Sequence, residues 1–420
     1  MASQSMKKFP RVFATMTFAF ALALGPAAPL YARTPLKIGV VLPLSGRNAA
    51  VGQSNLFGMR LVVDKVNAAG GIESLGGEKI DLVTADDASV PVSAAVAARR
   101  LVESERVAFI LGPYATPEAE AMAPVTERAH IGAISTQASY DGLFERHYKG
   151  FLTVSMTSSQ FGTSYADFLL WLMKTHGVKI KTLAITYPDN DYGRTAAKFA
   201  EKKLVAAGVS VAGSFGFPPR TQDLTPIVLK LKQLNPDAVI SIGYFEDGVL
   251  LHTARAAQSY AGQPIWVGGS SSFTDDRMWS TLGDKIARVA LGGPRSFGLA
   301  QFDNGAPTPG VKWLDAAARK QKPGVVVDQG MAAGAQAAWI LVDALRHLKR
   351  AAPATIIAAI KRVHIPANSQ EVTMPQFTNG IAFAPSGKPR HPVALFVQWK
   401  NGAKKIVYPE ALKTAAVALH

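Results

Sequence analysis

The most constraining feature of the sequence is a regular alternation of short apolar runs with longer segments of helical spacing. The first series begins near Leu36, and its β-branched runs predict strands over 38–42, 80–84, 108–111 and 131–135. Between the first two strands, apolar residues recur on one helical face and the segment ends at Gly70-Gly71, which is typical of a helix C-terminus. Strand–helix alternation of this kind predicts a parallel sheet covered by helices on both faces.

The same pattern restarts in the middle of the chain. It predicts a strand over 183–187, a helix over 194–207 and strands over 238–242 and 265–267. The order of parts in "IGVVLPLSGRNAAVG" is repeated in "LAITYPDNDYG": a strand, a polar loop led by proline, a glycine and a helix. Residues 313–361 read as mostly helical, and strands return around "GIAFAPSG" and "VALFVQWKNG". We therefore expect two homologous α/β lobes.

The N-terminal residues have the three parts of a secretory signal. Basic residues at Lys7, Lys8 and Arg11 precede an apolar run over 12–24, and small residues then lead to a cleavage site after Ala32. An uncleaved membrane anchor is the alternative, but the run is shorter than the ~20 residues that a membrane-spanning helix needs. No later segment is long and apolar enough, and the chain has no cysteine. We expect residues 1–32 to be removed and the rest to be exported.

Charge and motifs exclude several classes of function. The formal net charge is +15, but the basic residues are scattered and no aromatic–basic motif of a nucleic-acid-binding module is present. The catalytic signatures of hydrolases, metalloproteases and nucleotide-binding enzymes are missing, and the eight histidines are dispersed. The neighbouring Asp86 and Asp87 point apart, and Asp87 or Ser89 is expected to cap the following helix. The sequence predicts neither an enzyme nor a cofactor or metal site.

The loops that follow the predicted strands carry glycines, hydroxyls and tyrosines. The clearest, "ILGPYATPEAEAMAP", runs from a buried strand into a helix with Thr116 expected as the N-cap and Pro117 as the first helical residue. In open α/β sheets, ligands bind beyond the carboxyl ends of the strands. Helix N-termini with hydroxyl side chains suit a carboxylate, because unpaired N–H groups and the helix dipole both favour an anion. Tyrosines from the other lobe would cover such a ligand.

Six segments in register resemble the branched-chain amino acid type of periplasmic solute-binding protein: "LPLSG", "VNAAGGI", "ADDASVPVSAA", "ILGPYATPEAEAMAP", "YPDNDYG" and "GIAFAPSG". The resemblance spans about Leu36 to Pro409. It implies a type I periplasmic binding protein fold, in which two Rossmann-like lobes are joined by a three-strand hinge, here near Val154, Ser296 and Pro389. The implied lobes comprise residues 33–154 with 297–388 and residues 155–296 with 389–420.

The resemblance also implies a set of ligand-binding residues. Thr116 matches the hydroxyl that holds the ligand carboxylate, with Tyr114 beside it, and Gln137 and Ser139 match contacts from the next strand end. The second lobe contributes Tyr192 and Tyr244.

Two further positions depart from relatives that bind amino acids. Ser270 stands where those relatives place an acid that pairs with the ligand ammonium, and Val51 stands where some carry an aromatic wall. Because a buried ammonium without a counter-charge is costly, an amino-acid ligand is disfavoured. A substitute acid remains open among Glu246, Asp247, Asp275 and Asp276.

By this resemblance, the expected function is capture of a small carboxylate-bearing solute, an amino acid or rather an aromatic or amide-type compound, and its delivery to the membrane permease of an ABC transporter. The protein is expected to act as a monomer. The alternatives are a ligand-sensing receptor for a signalling partner, because this fold also serves as a sensing ectodomain, and an exported α/β enzyme. We find no transmembrane helix or kinase segment in the sequence that would support the receptor, and no nucleophile or cofactor loop that would support the enzyme.

Overall fold

Two β-sheets form the framework of the protein, described by a computed structural model for residues 1–2, 5–8, 10, 34–262, 264–269 and 271–419. The described residues from Thr34 onward form one compact unit. Most of the predicted signal peptide, including its cleavage site after Ala32, lies outside the described residues. Within the described ranges, no helix combines the length and apolar character that a bilayer crossing requires.

The first lobe is built on a sheet with the strand order β2-β1-β3-β4-β5, in which all neighbouring strands are parallel. Its strands are β1 Leu36–Leu42, β2 Ile80–Asp86, β3 Phe109–Leu111, β4 Gly132–Ser135 and β5 Phe151–Thr153. The helices that come between them are α1 Ala49–Ala68, α2 Pro91–Glu103, α3 Thr116–Arg128 and α4 Asp141–Glu145. The predicted strand–helix alternation is confirmed here, and the apolar face of α1 packs into the core of this lobe.

The second lobe is built on a sheet with the order β12-β11-β10-β9-β8-β6-β7. Its strands are β6 Thr182–Pro188, β7 Ser210–Phe217, β8 Ala238–Ser241, β9 Ile265–Gly269, β10 Ser296–Ala300, β11 Leu395–Lys400 and β12 Ala403–Tyr408. The helices in this part of the chain are α5 Ser158–His176, α6 Asp191–Ala206, α7 Thr225–Leu234, α8 Phe245–Ala257, α9 Ser271–Thr274 and α10 Met278–Ala290. Strands β6 to β10 are parallel, whereas β11 and β12 add an antiparallel edge.

Residues 313–361, which the sequence predicts to be mostly helical, lie in the first lobe. This part of the chain forms α11 Pro309–Gln321, α12 Gln329–Arg346 and α13 Pro353–Ile360. Helix α12 is buried against α1 and contributes Met331, Ala335 and Trp339 to the core of the first lobe.

Two local predictions from the sequence are wrong. The "GIAFAPSG" segment forms isolated bridges at Ile381 and Phe383 instead of a strand, because turns around Gly380 and Gly387 interrupt its pairing. Neither Asp87 nor Ser89 caps α2, whose N-cap is Val90. The Asp87 side chain instead accepts the N–H of Ser89, so it stabilises the loop before the helix.

Three connecting segments join the lobes, and two glutamines tie them together. The Gln301 side chain, just after β10, accepts hydrogen bonds from the N–H of Met156 at 2.9 Å and the hydroxyl of Ser155 at 3.1 Å. The Gln376 side-chain amide donates to the backbone carbonyl of Val154, and the backbone carbonyl of Gln376 accepts the N–H of Val393 at 2.8 Å. Strand β10 belongs to the second sheet, so the chain leaves this lobe after Ala300 and not at Ser296. The exact lobe boundaries remain a prediction.

Helices α1 and α12 approach so closely that glycine is required at their contact. A Cβ atom added to Gly58 would overlap the backbone carbonyl of Met331, and one added to Gly334 would overlap the carbonyl of Asn55. Because the obstructing atoms belong to the backbone of a packed helix, a rotamer change cannot relieve the overlap.

We therefore predict that Gly58→Ala lowers the free energy of unfolding by about 1–3 kcal/mol through overpacking. The matched control is Gly262→Ala, where the added Cβ would meet no atom within 4 Å. This control should change stability by less than about 0.5 kcal/mol. Denaturant unfolding of both variants measures the difference, and equal stabilities would show that the helices tolerate a wider separation.

Candidate functional site

An internal cavity lies where the carboxyl ends of the strands of both lobes face one another. We call it the inner cavity, and the space between its atoms amounts to about 320 Å³, including the part that is open to solvent. Almost every residue that lines it follows a strand end or begins the next helix, as expected for ligand sites in α/β sheets. The lining residues are Tyr114, Ala115, Thr116, Gln137, Ser139, Ser155, Phe161, Tyr192, Gly243, Tyr244 and Ser271.

Thr116 occupies the first turn of α3 but does not cap it. The N-cap is Ala115, so the predicted capping role of Thr116 is wrong. Its hydroxyl oxygen instead accepts the backbone N–H of Ser139 at 3.1 Å, which joins the loops after β3 and β4. The Ser139 hydroxyl lies 3.2 Å from that of Ser158 at the start of α5. These contacts place several hydroxyls and the N-terminus of α3 around the same space.

Aromatic rings from both lobes form one wall of the inner cavity. The ring centroids of Tyr192 and Tyr244 are 5.6 Å apart, those of Tyr114 and Tyr244 are 6.4 Å apart, and Phe161 packs edge-on against Tyr192. The Tyr114 hydroxyl lies 3.3 Å from the hydroxyl of Ser271, which connects the two lobes directly. Burial raises the pKa of Tyr114 and Tyr192 far above neutrality, so both hydroxyls remain hydrogen-bond donors.

The Tyr192 hydroxyl is buried without a hydrogen-bond partner. Tyr165, which lies behind it beneath Gly269, also lacks a well-formed hydrogen bond, and the two hydroxyls are near enough to each other to affect each other's pKa. Tyr192 lines the inner cavity and Tyr165 does not, so of the two hydroxyls only that of Tyr192 is placed to form a hydrogen bond with a molecule in this cavity.

The structure brings together six of the eight residues that the sequence singles out: Tyr114, Thr116, Gln137, Ser139, Tyr192 and Tyr244. Val51 does not line this cavity. It is buried in α1, where its carbonyl accepts a hydrogen bond from the Asn55 side chain. Ser270 lies outside the described residues.

Sequence reasoning missed three hydroxyl or aromatic side chains of the lining. Ser155 follows β5, a strand too short to be recognised, and Ser271 begins a single helical turn. Phe161 has the spacing of an ordinary core residue of α5, so no sequence signal separates it from its buried neighbours.

Three largely buried acidic side chains of the second lobe already have basic partners. Asp247 forms a salt bridge with Arg47 at 3.0 Å. Arg277 forms two hydrogen bonds with the carboxylate of Asp275, and Lys404 lies 2.9 Å from Asp276.

These partners offset the desolvation of buried carboxylates. Burial raises the pKa of Asp276 to about 7, against the effect of Lys404, and it also raises the pKa of Asp247, against the Tyr244 N–H and Arg47. Glu246 lines a separate surface groove beside Arg220 and Leu250. Of the described residues that line the inner cavity, none is charged. In the same described ranges, no cluster of histidine and acidic side chains is suited to a metal ion.

Two α/β lobes with a polar, uncharged cavity at their facing strand ends define a protein that binds a small molecule. A sequence model of the family described as periplasmic binding protein matches residues 35–404, and the chain belongs to this family. A Leu/Ile/Val-binding protein homolog 7 of Brucella melitensis is 27% identical over 405 residues, which cover 95% of this chain and 97% of the relative.

Solved structures share the fold at low sequence identity. A solute-binding protein of an ABC transporter from R. palustris, in complex with benzoate, superposes with a TM-score of 0.76 at 18% identity. The match covers 91% of this chain and 98% of that one. The branched-chain amino acid transporter protein LivJ of Streptococcus pneumoniae, in complex with isoleucine, gives a TM-score of 0.73 at 20% identity. Here the match covers 90% and 100% of the two chains. The type I periplasmic binding protein fold expected from the sequence is confirmed.

The Thr116 contact leads to a prediction about stability. Thr116→Val keeps the shape of the side chain but leaves the buried N–H of Ser139 without an acceptor, so we expect unfolding to become easier by about 1–3 kcal/mol. Thr116→Ser keeps the acceptor and should lose less than half as much. Thermal and denaturant unfolding distinguish the two variants. A Thr116→Val protein as stable as the unmodified protein would mean that the hydroxyl does not hold the Ser139 loop.

Proposed function

We propose that the protein is the periplasmic substrate-binding component of an ABC importer, and that its ligand is a small carboxylate without an α-ammonium group. The family membership supports the binding role. The structural relative from R. palustris is a solute-binding protein of an ABC transporter in complex with benzoate, and that from S. pneumoniae is a substrate-binding protein of a branched-chain amino acid transporter in complex with isoleucine. Both ligands carry a carboxylate, and the chemistry of the inner cavity favours the one without an ammonium group.

The observation that carries this proposal is the absence of charge among the described residues of the inner cavity. Hydroxyl and amide groups can donate several hydrogen bonds to a carboxylate, and the N-terminus of α3 adds N–H groups and a favourable dipole. An ammonium group in the same place would need a carboxylate. Asp247 and Asp275 are held by Arg47 and Arg277. Glu118, whose Oε2 has no partner, lines the neighbouring cavity and not the inner one.

Contacts between the lobes support capture by closure around the ligand. Arg47 of the first lobe pairs with Asp247 of the second, and Arg277 of the second lobe lies 3.5 Å from Asp328 at the start of α12. The Arg220 side chain donates a hydrogen bond to the carbonyl of Ser89 at 3.1 Å. Three short connecting segments are suited to a hinge, and ligand contacts from both lobes would favour the closed form.

The remaining parts of the proposal follow from the sequence. The N-terminal basic and apolar residues direct export through a cleavable signal peptide. The closed, ligand-bound monomer then delivers its solute to the membrane permease.

The test is calorimetric titration of the protein lacking residues 1–32. Benzoate and other carboxylates without an α-ammonium group should bind, whereas leucine, isoleucine and valine should not bind at micromolar concentration. Tyr192→Phe removes a hydroxyl that has no partner in the protein, so it should leave folding unchanged and weaken carboxylate binding by roughly 5- to 15-fold.

The matched control is Tyr165→Phe, which removes the neighbouring hydroxyl outside the cavity lining and should change affinity by much less. Micromolar binding of leucine would contradict the proposed ligand class. Equal carboxylate affinities for Tyr192→Phe and the unmodified protein would contradict the assigned role of the inner cavity.

A further inference from the structure

We propose that the ligand extends from the inner cavity into a larger neighbouring cavity, and that the protein therefore selects elongated monocarboxylates with an apolar body and a neutral hydrogen-bonding group at the far end. This inference rests on the proposed function and adds to it the length and distal chemistry of the ligand. The neighbouring space, which we call the outer cavity, lies between the lobes and has a volume of about 780 Å³.

The two cavities are adjacent. Ala115 and Tyr244 line both of them, so the Tyr244 ring stands at the passage from one to the other. The outer cavity is much the larger of the two, and the inner cavity alone leaves little room beyond a carboxylate group. A carboxylate placed at the hydroxyls of the inner cavity would therefore direct the rest of a long ligand past Tyr244.

The walls of the outer cavity near this passage are largely apolar. Prolines contribute from both lobes, and the Ala115 side chain and the Tyr244 ring complete the surface. The prolines concerned are Pro91, Pro117, Pro188 and Pro219. Proline has no backbone N–H, so this surface offers few hydrogen-bond donors and suits an aryl or alkyl segment.

Two buried acceptors in the lining lack a hydrogen-bond partner. Asn48 Oδ1 and Glu118 Oε2 are both unpartnered, although the two residues are only 9% and 6% exposed. Buried polar atoms in folded proteins are nearly always satisfied, so an unsatisfied pair that lines one cavity points to a ligand group that completes them. Neither atom lies in the lining of the inner cavity.

The charges around the outer cavity favour a neutral partner for these acceptors. The guanidinium groups of Arg47 and Arg220 line the same space and would repel a cationic ligand end. Burial raises the pKa of Glu118, and Arg220 opposes this effect. A hydroxyl group fits either protonation state, because it donates to a carboxylate and accepts from a carboxylic acid.

The experiment compares three acids by calorimetric titration of the protein lacking residues 1–32. Benzoate is the short acid, 3-phenylpropanoate adds length, and 3-(4-hydroxyphenyl)propanoate adds a distal hydroxyl. We expect 3-phenylpropanoate to bind more tightly than benzoate, and the hydroxylated acid to bind about 10-fold more tightly than 3-phenylpropanoate.

Glu118→Leu should reduce that 10-fold preference to about 1-fold, since it removes the unpartnered Oε2. The variant also loses the contact of the carboxylate with its own backbone N–H and a favourable charge in the first turn of α3, so its melting temperature is measured beside that of the control. The matched control is Glu127→Leu near the C-terminal end of the same helix. Glu127 accepts the backbone N–H of Lys149 and does not line either cavity, so this variant should keep the full preference.

The outcomes separate the two proposals. Benzoate binding with no gain for either longer acid would overturn the extension into the outer cavity and leave the proposed function intact. Equal binding of the two longer acids by the unmodified protein would overturn the distal hydrogen bond, even if Glu118→Leu failed to fold. Binding of none of the three acids would count against the proposed function itself, and this inference would be lost with it.

Discussion

The cost of burying an unpaired charge governs the region between the lobes. Asp247, Asp275 and Asp276 are all buried in the second lobe, and each is within salt-bridge distance of a basic side chain. These acids are neutralised by basic side chains of the protein and do not line the inner cavity. Its polar lining therefore consists of hydroxyl and amide groups. A carboxylate can be bound by such neutral donors, whereas an ammonium group needs a negative partner. The choice of ligand thus follows from how the protein neutralises its own acids.

The same pairing links ligand chemistry to the arrangement of the lobes. Arg47 follows β1 in the first lobe, and Asp247 lies in α8 of the second lobe, so their salt bridge spans the cleft. Under the proposed hinge motion, opening would separate this pair and expose both groups to water. An amino-acid ligand would have to compete with Arg47 for Asp247 during closure. A carboxylate held at the N-terminus of α3 meets no such competition.

Local patterns in the sequence account for much of the fold and for part of the site. The spacing of apolar residues and the β-branched composition of the short runs predict the parallel strands. The loops and helix starts that follow those strands contain Tyr114, Thr116, Tyr192 and Tyr244, which line one cavity. The reason is topological, since parallel strands bring their carboxyl ends to the same edge of a sheet.

Other features depend on contacts between distant parts of the chain. The position of Thr116 before Pro117 predicts that its hydroxyl caps the helix. In the structure this hydroxyl instead accepts the N–H of Ser139, which β4 brings near it. The partner of Asp247 is 200 residues away in sequence, so no local pattern identifies Arg47. Strand β7 was also missed: it pairs with β6 alone at the edge of its sheet, and its glycines and serines weaken the strand signal.

A crystal structure of the protein bound to its preferred acid would test the central claim most directly. We predict that the ligand carboxylate lies within hydrogen-bond distance of the hydroxyls of the inner cavity and the first turn of α3, with the salt bridge between Arg47 and Asp247 intact. A ligand whose ammonium group pairs with Asp247, with Arg47 displaced from that carboxylate, would contradict it.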